Sequence, residues 1–344
     1  MKMPATRLVS AAHPALHFEG RLDRRNPAAP VFIWQGSSLE FSFTGDFLAL
    51  RFGGRKGSAF FDLTLEAQQS MIEVKEGAEP VVIAFSKELP PGSHRVTLFK
   101  RSEADAGYAT LDSIELSAGG KLEKFETATP KLRLHFFGDS ITVGACDEDG
   151  AVDQWESRAT HNNAFSYAAL TAKAFGAGYR NTAVSGMGIV EGYVPKIAGQ
   201  IWDRLYPEID SPKADENGWE PDLVFVNYGE NDDSFTKNAG TPFPKGFTEG
   251  YVDLVRAMRQ AYPKAEIILL RGGMSGGAKS ERLRLPWESA VQQLKATDPH
   301  VHHFVFQHWS ELHPRVSDQR AMADELIGWL RAQPFVHRLV DKSE

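Results

Sequence analysis

The sequence predicts two domains: an N-terminal antiparallel β-sandwich, then an α/β domain built on a doubly wound parallel sheet. Three observations carry this. Apolar and polar residues alternate up to about Ala128. From Leu132 the pattern changes to short apolar runs separated by stretches of helical spacing. One of those runs, Leu134-His135-Phe136-Phe137, stops abruptly at Gly138-Asp139-Ser140-Ile141-Thr142.

In the first domain, taken as residues 1–128, Leu39, Phe41 and Phe43 alternate with Glu40, Ser42 and Thr44. Leu48, Leu50 and Phe52 follow, then Phe61, Leu63 and Leu65, and later Val96 and Leu98. A period of two means strands with one buried face. Gly36-Ser37, Gly45-Asp46, Gly53-Gly54 and Pro90-Pro91-Gly92 supply the turns. Many short strands with closely spaced turns suggest a sandwich. Gly119-Gly120, Thr127, Thr129 and Pro130 mark its end.

The second domain is taken as residues 131–344. Its expected buried strands are Leu132 to Phe137, Tyr179 to Val184, Leu223 to Asn227, Glu266 to Leu270 and His303 to Phe306. Between them, Phe165, Ala168, Ala169, Ala172 and Phe175 fall on one helical face. So do Phe247, Tyr251, Leu254, Val255 and Met258, and so do Met322, Leu326, Trp329 and Leu330. Strands alternating with helices mean a parallel sheet between helical layers.

Composition bounds the function. Over 344 residues, 42% are hydrophobic and 24% charged, values of an ordinary globular protein. The net charge of -7 and the lack of a basic stripe argue against nucleic acid. No apolar run is long enough to span a bilayer. Cys146 is the single cysteine, so no internal disulfide forms and no cysteine cluster holds zinc. The N-terminus lacks a signal-peptide core, which makes the cytoplasm the expected location. A chain whose export signal had been removed would read the same.

The chemistry lies at the ends of the predicted strands, where open α/β sheets bind ligands. Ser140 follows the first strand. Ser185-Gly186-Met187-Gly188 follows the second, and Tyr228-Gly229-Glu230-Asn231-Asp232 the third. His313-Pro314 follows the fifth. Acyl transfer needs a nucleophile, a base and donors for a developing oxyanion. These four loops offer all three at one sheet edge.

This order of blocks resembles the SGNH, or GDSL-like, hydrolases. Gly138-Asp139-Ser140, Gly186, Gly229-Glu230-Asn231-Asp232 and His313-Pro314 match the four family blocks. A small sandwich ahead of such a domain is similar to carbohydrate esterase family two. Phe18-Glu19-Gly20-Arg21, Trp34 to Ser38 and His94 to Arg101 resemble parts of that family's sandwich domain. The resemblance implies a flavodoxin-like sheet, a jelly-roll-like first domain and removal of acetyl groups from sugars. It implies Ser140 as nucleophile and His313 as base. The backbone N–H groups of Ser140 and Gly186 and the Asn231 side-chain amide would form the oxyanion hole.

One position departs from the family pattern. Its acid stands three residues before the histidine, where this chain has Ser310. Three repairs are open: a backbone carbonyl near Ser310 or Glu311 orienting His313, the Glu311 carboxylate itself, or a distant carboxylate. The resemblance favours the first, a Ser–His dyad.

Glu230, Asp232, Trp155 and Trp309 are candidate substrate contacts. Trp155 belongs to a polar insertion from Cys146 to Asn163 that would rim the site or form a solvated loop. His300, His302, His303 and His308 read as exposed strand-end positions rather than metal ligands. Arg271 to Gly277 lacks a phosphate-loop ending and reads as a flexible wall of the acyl pocket. Cys146 reads as a small packed residue.

The expected protein is a serine esterase acting on O-acetylated sugars through an acyl-serine, with no metal or cofactor and an undetermined oligomeric state. The alternatives are a lipase or thioesterase on other acyl esters, and a carbohydrate-binding protein with weak catalysis.

Overall fold

The computed structural model describes residues 5–77, 79–84, 89–90, 92–124, 129–215 and 218–341. Pro91, Thr127 and Ala128, invoked above as turn and boundary signals, lie outside these residues, as does the extreme N-terminus. The chain divides into two units, Met1–Thr129 and Pro130–Glu344.

The first unit is antiparallel throughout, and alternation is its organising pattern. In Ser38–Thr44 every second residue is buried, which places Leu39, Phe41 and Phe43 in the core. Phe32, Phe52 and Phe61 join them, with the Phe32 and Phe61 rings edge to face at 5.6 Å. The expected two layers share their hydrogen bonding. The described strands form one eleven-stranded network because Leu48–Leu65 is eighteen residues long. Its first half pairs with Gly107–Ser117 and Val81–Ala84, its second with Gln68–Gly77 and Ser93–Lys100.

The second unit carries five parallel strands: Arg133–Gly138, Gly178–Ala183, Leu223–Asn227, Glu266–Met274 and Val301–Ser310. Their order across the sheet is second, first, third, fourth, fifth. That is the flavodoxin-like doubly wound order, whose switch point lies between the first and third strands. Leu134, Phe136, Leu223 and Phe225 are fully buried on one face, with Phe136 stacked on Phe225 at 4.2 Å. Such a stacked pair contributes about 1 kcal/mol beyond its area. The first four are buried almost throughout, as strands covered on both faces are, while the fifth, at the sheet edge, is mostly half-buried.

The helices Phe247–Ala261 and Val316–Arg331 turn the expected faces to the core, whereas Tyr167–Ala174 buries Tyr167, Ala168, Thr171 and Ala172, with the expected Phe165 in a separate turn before it and Phe175 at its end. Three further helices of eight residues or more among the described residues, Glu230–Asn238, Glu281–Lys295 and Pro334–Asp341, are absent from the sequence expectation. Glu281–Lys295 buries Leu283, Trp287, Ala290, Val291 and Leu294 at helical spacing, but Pro286 stands inside it and disguises the pattern. The supposed flexible wall from Arg271 to Gly277 is instead the end of the fourth strand followed by a short helix, Ser275–Lys279. Among the described residues no helix is long and apolar enough to cross a membrane.

Candidate active site

The first strand ends in a tight turn. Gly138 is required there, because a Cβ would stand 2.2 Å from Thr142 Oγ1 and 2.9 Å from the Asn227 carbonyl. Asp139 caps the one-turn helix Ser140–Val143 by accepting the Ile141 N–H at 3.1 Å. Ser140 opens this helix, just past the carboxyl end of the first strand, and is buried but for 5% of its surface.

The second and third blocks meet the first at this point. The Asn231 amide donates to Asp139 Oδ2 and to the Met187 carbonyl, each at 3.2 Å. Gly186 adopts φ +77°, and a Cβ there would press on Tyr193 and Val194 at 3.2 and 3.3 Å. A residue beyond glycine would therefore be strained and crowded. The Asn231 amide thus ties the turn that carries Ser140 to the loop that carries Gly186.

The carboxylates of the third block are structural. Asp232 was a candidate substrate contact, but it is fully buried and accepts the N–H groups of Ile189, Val190 and Glu191 at 2.8 to 3.1 Å. It fixes the loop that carries Gly186. Burial raises its pKa to about 6 against the pull of those three amides. Glu230 accepts from Gly276 and Gly277 at 3.0 and 2.6 Å. It caps the helix Ser275–Lys279 rather than reaching a substrate. Burial also raises its pKa, with those two amides opposing the shift. Asp139 is raised furthest, to about 8, by burial first and then by the charges of Glu230 and Asp232.

The fifth strand delivers the histidine block. Its connection to the nucleophile turn is direct: Gln319 Nε2 donates to the Ile141 carbonyl at 3.0 Å, and the Val316 N–H to the Asp147 carbonyl at 2.9 Å. His313 Nδ1 lies 2.6 Å from Asp153 Oδ2, and Arg315 Nη1 donates to Asp153 Oδ1 at 2.8 Å. Burial lifts the Asp153 pKa, but the His313 and Arg315 hydrogen bonds outweigh it and hold the group well below the usual carboxylate range. An ionised carboxylate can only accept, so Nδ1 carries the proton and Nε2 is left as the base. The Trp155 ring backs the imidazole at 5.6 Å, with Arg158 over the indole at 4.2 Å. Among the described residues no hydrogen bond joins the Ser140 hydroxyl to the His313 ring. Such contacts often tighten only when substrate is bound.

This geometry corrects the expected orienting group. Ser310 turns its hydroxyl to the Leu312 carbonyl, and Glu311 is 70% exposed and pairs with Lys279 at 3.4 Å. Neither serves His313. The carboxylate that hydrogen-bonds His313 is that of Asp153, from the polar insertion after the nucleophile. It belongs to the third repair left open above, the distant carboxylate, and not to the favoured dyad. Trp309 has the Lys279 ammonium 3.5 Å from its ring centre, so that face is already covered.

Cys146 Sγ lies within 4.8 Å of ligand atoms of Asp153 and His313. The trio fits a metal poorly. The imidazole and carboxylate are already committed to each other, and burial with the Asp149 charge pushes the thiol pKa upward. Elsewhere, His300 and His302 both contact the Glu266 carboxylate, at 3.1 and 2.8 Å.

Residues 136–332 match the GDSL-like Lipase/Acylhydrolase family, and residues 18–125 match the carbohydrate esterase 2 N-terminal domain. The chain belongs to the GDSL-like lipase/acylhydrolase family. The first unit is thus similar to the sandwich domain of the family two carbohydrate esterases. An acetylxylan esterase/glucomannan deacetylase of Cellvibrio japonicus is 28% identical over 92% of this chain and 90% of its own length. The cellulase/esterase CelE of Acetivibrio thermocellus is 26% identical over 92% of this chain, which spans only 40% of that larger protein. Among solved structures, a family two carbohydrate esterase from Cellvibrio japonicus superposes with a TM-score of 0.83 at 24% identity, covering 99% of this chain and all of that one. A Clostridium thermocellum family two esterase in complex with cellohexaose gives 0.80 at 24% identity, covering 92% of this chain and 98% of that one. These likenesses establish the same pair of folds in this GDSL-like chain.

Proposed function

We propose that this chain is a serine esterase that removes O-acetyl groups from carbohydrates through an acyl-serine intermediate. The observation that supports it best is the Asp153–His313 hydrogen bond at 2.6 Å, which leaves imidazole Nε2 free to act as base. In this reading the Ser140 hydroxyl attacks the acetyl carbonyl and His313 takes its proton. The tetrahedral oxyanion is held by the backbone N–H groups of Ser140 and Gly186 and by the Asn231 amide, which exchanges its bond to the Met187 carbonyl for the oxyanion. Its collapse breaks the ester bond, and the imidazolium returns its proton to the sugar oxygen. Water then repeats the sequence on the acetyl-serine, releasing acetate. Asp153 holds the productive tautomer and stabilises the imidazolium, the role carboxylates play in such triads.

A sugar substrate is supported by relatives named as esterases of xylan and glucomannan and by the family two solved structures. Release of acetate from acetylated xylo-oligosaccharides tests the reading, with Ser140→Ala as the control. The expected result is release by the parent chain and none by the variant. Faster turnover of p-nitrophenyl octanoate than of the acetate would favour an acyl-chain hydrolase. Sugar binding without acetate release would favour a binding protein.

A further inference from the structure

Where the acid stands three residues before the histidine, one turn of chain fixes their distance. In this protein the acid comes from the loop that follows the nucleophile, so local chain geometry cannot set that distance. Something else must hold the loop against the histidine block. We propose that Arg315 does this, as a positioning residue that makes the Asp153 loop and the His313 block one rigid unit. The proposal rests on the reading of Asp153 as the acid partner.

The contacts of one guanidinium carry the argument. The two N–H bonds of Nη1 are shared among three acceptors, Asp153 Oδ1 at 2.8 Å, the Cys146 carbonyl at 3.0 Å and the His313 carbonyl at 2.9 Å. Nε donates to the Gly150 carbonyl at 2.9 Å. The side chain therefore grips the start, the middle and the functional end of the segment from Cys146 to Asp153, and ties all three to the backbone of His313. Its own backbone N–H is fixed by Asp318 Oδ2 at 2.9 Å, at the start of the helix Val316–Arg331. Asp153 uses one oxygen for each partner: Oδ2 faces the imidazole and Oδ1 the guanidinium. Fixing both oxygens removes the rotation that would swing the carboxylate away from Nδ1. The planar fork matters, because Nε and Nη1 reach groups on different parts of the loop at once. A lysine ammonium is a single point and cannot do so.

The loop needs such a fastening. Cys146 holds a left-handed backbone, φ +55°, which a non-glycine residue adopts at a cost. Gly150, Val152 and Gln154 are exposed, so packing alone does little to hold this part of the loop.

The test is a cycle of Asp153→Asn, Arg315→Met and the double variant, with Arg315→Lys alongside, assayed on p-nitrophenyl acetate with thermal midpoints recorded. Misplacing a catalytic group by about 1 Å costs on the order of 10²-fold. The expected result for Arg315→Met is a fall in kcat of about 10- to 100-fold with KM within about twofold. In the Asp153→Asn background the same change should cost less than about threefold. Arg315→Lys should be intermediate, and added guanidinium at millimolar concentration should restore part of the Arg315→Met rate. Should Arg315→Met fail to fold, the Lys variant and its cycle with Asp153→Asn decide by the same criterion. Equal losses in both backgrounds would overturn the proposal, since Arg315 would then act independently of Asp153. A slow Asp153→Asn beside an unimpaired Arg315→Met would also overturn it while leaving the acid assignment standing. An unimpaired Asp153→Asn would remove the acid assignment and this proposal with it.

Discussion

At the residue scale, the two candidate acids differ in what they touch. Asp153 contacts an imidazole and a guanidinium and stays ionised. Glu311, two residues from the same histidine, faces solvent beside Lys279. Exposed pairs of this kind contribute little. Glu311→Ala and Ser310→Ala are therefore expected to keep kcat on p-nitrophenyl acetate within about threefold of the parent. A loss near a thousandfold in either, with the fold intact by circular dichroism, would show that the acid had been misassigned. Sequence alone did not single out Asp153 because Asp147, Asp149 and Asp153 stand close together in one polar loop. Two features of the sequence could have pointed there: the serine at position 310, which leaves the usual acid position without a carboxylate, and Arg315 beside the histidine block, a cation able to take an anionic partner.

At the scale of elements, the short helix Ser275–Lys279 and the helix Glu230–Asn238 are joined through one carboxylate. Glu230 precedes Asn231, so the same contact that caps the first helix steadies the amide assigned to the oxyanion hole. A Cβ at Gly276 would stand 2.6 Å from Glu230 Oε1. Gly276→Ala must therefore push the two apart, at a cost of about 1–3 kcal/mol for overpacking. Urea unfolding should show a lowered midpoint with an unchanged slope, and an unaltered midpoint would contradict the cap. The elements that were legible in the sequence were those with a clean period: the apolar runs of the parallel strands and the alternation of Ser38–Thr44. The helix Glu281–Lys295 was hidden because Pro286 interrupts an otherwise regular apolar face. The Arg271 to Gly277 segment was hidden because its glycines, which read as a loop, serve close packing: a Cβ at Gly273 would meet Met322 and Ile141 at 2.7 and 2.9 Å.

For the whole molecule, the order of the parallel strands decides where chemistry can occur. Placing the first strand beside the third puts the Ser140 and Asn231 blocks on either side of the switch point, and the chain after the fifth strand bonds back to the nucleophile turn through Gln319 and Ile141. The strands that carry the blocks were readable in sequence, because each block follows an apolar run. The same site burdens the molecule with buried acid. Asp139, with its pKa raised to about 8, keeps a proton in the folded state that the unfolded chain releases near pH 4. Stability contributed by this group is complete below about pH 4 and is lost as pH rises toward 8. Asp232 adds to the trend up to about pH 6, while His161, lowered to about 4 by burial and by Arg158, opposes it below its usual value. The prediction concerns the difference between chains. From pH 5 to 7 the parent should lose more stability in urea than Asp139→Asn, by up to about 1.4 kcal/mol per pH unit. Parallel curves would contradict the assignment of a buried proton to Asp139. The distance between the sequence expectation and the structure is greatest where tertiary contacts replace local spacing, and the acid partner of His313 is the clearest instance.

The most direct test is the kcat of Asp153→Asn on p-nitrophenyl acetate, measured beside the parent. The amide keeps the shape of the side chain but cannot hold the same imidazole tautomer or stabilise its charge. The account predicts a fall of about 10²- to 10⁴-fold, as loss of the carboxylate produces in serine triads. A rate within a few-fold of the parent would show that His313 is oriented by something other than Asp153, and the account would fail at its centre.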